Sequence, residues 1–73
     1  MRFSSREIVE LLRDQFPVGC RVELLQMDDP QAPPMLTKGT VTEVDDIGSI
    51  VVRWDNSCGL SVAYGEDRCR RID

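Results

Sequence analysis

Residues 38–54, KGTVTEVDDIGSIVVRW, decide the fold. Ser49 to Trp54 is rich in β-branched residues and alternates, with Ile50, Val52 and Trp54 on one face and Val51 and Arg53 on the other. That is the period-two pattern of a strand with one buried side. Gly39 to Val44 reads as its partner strand, and Val41 and Val44 can both face inward only if an extra residue bulges between them. Asp45-Asp46-Ile47-Gly48 turns the chain between the two. A half-buried antiparallel hairpin therefore stands at the centre of the chain.

Upstream, after Val18-Gly19, Val22 and Leu24 alternate with Arg21 and Glu23, which predicts a first strand. Met27 to Leu36 holds Asp28, Asp29, Pro30, Pro33 and Pro34 and must be a long loop, because proline lacks the ladder donor. Downstream, Asp55 to Gly59 is a hairpin connection, and Leu60, Val62 and Tyr64 alternate along a fourth strand. Gly65-Glu66-Asp67-Arg68 makes a tight link, and Cys69 to Ile72 closes the sheet as a fifth. Five short strands within this length suit a small SH3-like barrel, which removes the exposed edges of an open sheet.

At the N-terminus, Ser4 and Glu7 have capping-box spacing, and Phe3 with Ile8 the spacing of a hydrophobic staple. Ile8, Val9, Leu11, Leu12 and Phe16 recur at helical intervals opposite Arg6, Glu10, Arg13 and Asp14, and Pro17 ends the helix. The expected architecture is thus mainly β and a single domain over 1–73. An N-terminal amphipathic α-helix at about 4–16 precedes a five-stranded barrel at about 18–73. The apolar arc of the helix spans roughly 160°, wider than one docked face needs. A chain of 73 residues has a thin core, so either the whole arc closes that core or one edge of it meets a second copy, in which case Val9, Leu12 and Phe16 are the expected homodimer contacts, with Leu11 toward the other edge.

Thirteen acidic and nine basic residues leave a net charge of -4, which repels phosphate backbones on average. Arg68, Arg70 and Arg71, with Arg21, Lys38 and Arg53 as possible neighbours, are the local exception. The three cysteines, Cys20, Cys58 and Cys69, form no CxxC pair and histidine is absent, so neither a zinc site nor a histidine-activated thiol is expected. Cys20 and Cys69 read as packed thiols and Cys58 as exposed at a glycine turn. The pairs Asp28/Asp29 and Asp45/Asp46 lack the spaced oxygens of a cation loop and read as turn residues. No catalytic residue, cofactor or metal is expected. The first residues lack the apolar run of a signal peptide, and no stretch approaches a membrane span, so the expected location is the cytoplasm.

Several segments, Arg21-Val22-Glu23-Leu24, Met27 to Pro34, Lys38-Gly39-Thr40-Val41, Val44 to Gly48, Arg53-Trp54-Asp55-Asn56 and Asp67-Arg68, occur together in this order. The chain over about residues 18–72 resembles a domain-of-unknown-function family of small bacterial, phage and conjugative-element proteins. The Gly-Thr-Val turn followed by Val-x-Trp-Asp is also similar to SH3-like modules, which implies partner binding rather than catalysis. Two positions depart from the pattern: Asn56-Ser57 stands where Asn-Gly is usual, and Cys69 where the last strand usually has an aromatic.

The expected function is a non-enzymatic protein–protein interaction module whose partner the sequence does not name. Trp54 is either a core anchor or a ring partly exposed beside Tyr64 as a peptide-binding ledge. Candidate partner-binding residues are Trp54, Asp55, Tyr64, Arg53, Arg68, Arg70 and Arg71, and the Pro-rich loop is a further element that could be presented to a partner. The rival expectation is a nucleic-acid-associated protein using Arg53, Arg68, Arg70 and Arg71 against phosphate.

Overall fold

The central hairpin forms as expected in a computed structural model that describes residues 5–57 and 59–73. Strand β2, Lys38–Val44, pairs antiparallel with β3, Ser49–Trp54. The register shifts between Val41 and Glu43, so Val41 and Val44 are both buried while Thr42 and Glu43 face solvent. β1, Arg21–Gln26, lies on the other side of β2 and pairs in turn with β5, Arg68–Arg71. The short β4, Val62–Ala63, pairs with the first residues of β3. The order across the sheet is β4-β3-β2-β1-β5.

Two features differ from the expected barrel. The sheet is open: β4 and β5 stand at its two ends with no ladder between them among the described residues. The fourth strand is only two residues long. Leu60 does not join it, because its carbonyl accepts the Trp54 indole N–H at 2.9 Å, so that carbonyl serves a side chain instead of a ladder. Tyr64 falls in the following turn, where Gly65 adopts φ +88° and the Glu66 and Asp67 N–H groups both donate to the Ala63 carbonyl. The seam that a ladder would close is therefore bridged by the 64–67 turn.

The core is the inner face of this sheet: Val22, Leu24, Val41, Val52, Trp54 and Val62 are each at most 2% exposed. Gly39 shows why the Lys38-Gly39-Thr40 segment has the residues it has. It lies opposite Trp54, and a Cβ there would fall 2.6 Å from a Val52 methyl and 2.9 Å from both the Trp54 ring and the Arg53 carbonyl oxygen. One obstacle is backbone, so the strands could accept a side chain only by moving apart.

Helix α1, Ser5–Gln15, covers this core with Val9 and Leu12, both 4% exposed, while Ile8 and Phe16 pack half-buried at its margin. The expected cap and staple at Phe3 and Ser4 lie outside the described residues. Arg13 fastens the helix to the central hairpin. Its guanidinium donates to the Val44 carbonyl at 3.1 and 3.3 Å and to Asp46 at 3.2 Å.

Candidate functional site

A shallow groove follows from the open seam. The second half of α1 (Leu12, Gln15, Phe16), Ile50, β4 (Val62), the 64–67 turn and the start of β5 (Arg68, Cys69) line one open groove of about 610 Å³, which Gln26 completes. Leu12, Phe16, Ile50 and Val62 bring the margin of the core to its floor. Its rim is polar: Gln15, Gln26, Glu66, Asp67 and Arg68. Asp67 stiffens the turn through its own carboxylate, which accepts the Ala63 N–H at 3.0 Å. Tyr64 is 56% exposed and also walls a smaller hollow with Ile8, Leu11 and Leu12. Together with Leu11, 48% exposed, it extends the apolar surface beyond the groove.

Of the expected partner-binding residues, only Tyr64 and Arg68 line this groove. Of the two readings of Trp54 the core anchor is the one observed: at 1% exposure its ring has no face left for a peptide, and its N–H is taken by the Leu60 carbonyl. The expected dimer edge is corrected. Val9 and Leu12 are buried within the chain's own core and Phe16 packs against it, so the edge of the helical arc that stays outside is the one carrying Leu11.

The register sets Arg21, Thr40 and Arg53 in one row across the outer sheet face, where the arginines are interleaved with acidic side chains. Arg21, Asp55 and Thr40 make a cluster on the outer sheet face, with the guanidinium donating to both Asp55 oxygens at 2.9 and 2.6 Å and to the Thr40 hydroxyl at 2.9 Å. This hydrogen bonding holds the Asp55 carboxyl below its ordinary range and the Arg21 guanidinium above its own. Asp55 is therefore the counter-ion of Arg21. Arg70 lies opposite Glu23 in the β1–β5 register and donates to its carboxylate at 2.8 and 3.0 Å, which leaves the Glu23 side chain only 12% exposed. Arg71, next along β5 and so on the opposite face, binds Asp73 at 2.9 Å, which likewise lowers the Asp73 carboxyl. Arg53 and Arg68 are exposed and form no ion pair among the described residues, but they stand on different strands, β3 and β5.

Cys20 is buried and Cys69 half-buried. Burial raises both thiols, that of Cys69 to about 11, with the neighbouring Cys20 adding to the effect. Cys58, expected to be exposed, lies outside the described residues. No cluster of three metal-ligating side chains occurs among the described residues, and no helix there is long and apolar enough to cross a membrane.

Sequence reasoning missed the groove because each of its apolar residues reads as ordinary core. The signal available was the fourth strand, where Tyr64 is followed at once by Gly65 and so cannot continue a ladder.

Comparison with curated proteins finds no match. The resemblance seen from residue 18 onward extends through the helix: the family described as Domain of unknown function (DUF4314) matches residues 5–72, helix and sheet together, and the chain belongs to that family.

Proposed function

We propose that this SH3-like unit is a non-enzymatic protein-interaction module, acting in the cytoplasm of a bacterium or on behalf of a phage or mobile element, that receives a protein partner in the groove between α1 and the β4–β5 seam. The observation that carries this reading is the groove itself: half-buried Phe16 and the outer edges of the core residues Leu12, Ile50 and Val62 line it beside an exposed Tyr64. An aromatic ring at the mouth of an apolar groove is the usual composition of a protein-contact surface.

The nucleic-acid alternative has less support. Binding phosphate depends on several cations free to release counter-ions, and Arg21, Arg70 and Arg71 already hold Asp55, Glu23 and Asp73.

A photo-crosslinking residue placed at Tyr64, and separately at Arg53, tests this in the native host. Protein adducts at position 64 and none at 53 are expected. Labelled duplex and single strands titrated across a salt series form the second arm. Micromolar binding with a steep salt slope, together with no adduct at 64, would replace the protein reading by the nucleic-acid one.

A further inference from the structure

Leu36 occupies the left-handed region at φ +70°, an unfavourable conformation for a leucine. A core residue can tolerate such strain for the sake of packing, but the Leu36 side chain is 59% exposed. Glycine or asparagine would suit this backbone better, so the leucine side chain is retained for something outside the fold. Its neighbour Met35 is 70% exposed.

The two side chains are displayed on a rigid mount. The Leu36 N–H donates to the Leu24 carbonyl at 2.7 Å, and the Leu24 N–H to the Thr37 carbonyl at 2.9 Å. The Thr37 N–H and hydroxyl both donate to the Pro34 carbonyl, at 3.1 and 2.6 Å. Pro33 is buried beneath, and Pro34 restricts the unfolded chain. A preordered apolar tip loses little entropy on docking.

From this strain, exposure and rigidity we propose that Met35 and Leu36 form an anchor that inserts into an apolar pocket of a partner protein, a contact separate from the groove and independent of it. The same loop carries exposed Asp28 and Asp29 ahead of the tip, so the pocket that fits it has a basic rim. A second copy of this chain fits less well: its groove sets Glu66 and Asp67 against a single cation, Arg68, so the rim facing Asp28 and Asp29 has net negative charge. A lipid surface does not fit it, because two side chains bury little apolar area and a net charge of -4 is repelled by anionic leaflets.

The test uses the full chain in its native host with benzoylphenylalanine at Met35, and at the still more exposed Ile47 as control. A protein adduct at 35, absent at 47 and mapped on the partner to apolar residues flanked by lysine or arginine, is expected. Leu36→Asn, which accepts the left-handed backbone, should leave the urea midpoint no lower and reduce the adduct at least tenfold, whereas Leu36→Met should keep it. The proposal is overturned by an adduct with the mass of two chains, by no adduct, by an adduct that Leu36→Asn leaves intact, or by a folding constant that Leu36→Asn lowers tenfold.

Discussion

Two residues on β3 and its hairpin show how sequence features became structural requirements. The Trp54 ring fills the space above Gly39 and is 1% exposed. Trp54→Ala leaves a cavity that flanking valines cannot close, and should cost about 3–5 kcal/mol in urea unfolding. A loss below about 1 kcal/mol would mean that the ring does not anchor the core. Ser57 takes a conformation that suits glycine, φ +71°, with its N–H donated to the Trp54 carbonyl. Relief of that strain is partly offset by the greater unfolded-state entropy of glycine, so Ser57→Gly should stabilise by up to about 1 kcal/mol. Chemical denaturation of this variant beside wild type reads the sign.

At the scale of elements, the ends of the sheet matter most. β5 is an edge strand that carries Cys69, and burial moves its thiol to about 11. The native thiol stays protonated where the unfolded thiol, near pH 8.5, has already ionised. Its contribution to stability is therefore whole below pH 8.5 and is lost as pH rises to 11. The urea midpoint should fall across that window, and Cys69→Ala should flatten the fall relative to wild type. An unchanged slope in that variant would place the alkaline loss elsewhere. β4 is short for a different reason, since the Leu60 carbonyl is held by Trp54. Its other end is closed by the Gly65 turn, which carries Tyr64 out of the ladder and onto the wall of the groove.

For the whole molecule, helix docking settles which apolar surface is left over. Val9 and Leu12 complete the core of a chain whose radius of gyration is 11.5 Å, close to the value for a compact domain of this length. The remaining apolar surface at Leu11 and Tyr64 is small for a stable symmetric interface. Sedimentation at tens of micromolar should therefore give the 8.3 kDa of one chain, with the α1 amides still protected from hydrogen exchange. A mass of two chains would show that this surface suffices for pairing.

The sequence by itself determined the elements. Alternation and bulge spacing placed β2 and β3, helical periodicity placed α1, and prolines marked the long loop, because these patterns express local backbone preference and the need to bury one face. It also set Trp54 on the same face as Ile50 and Val52 by strand parity, while the burial of the ring was decided by the tertiary structure. Only the tertiary structure decided that the barrel stays open, that Val9 and Leu12 close the core while Leu11 faces out, and that Arg21, Arg70 and Arg71 hold Asp55, Glu23 and Asp73. Those outcomes depend on register between strands far apart in the chain. A single side chain crossing to a distant carbonyl, as Trp54 does to Leu60, leaves no periodic trace in the residues themselves.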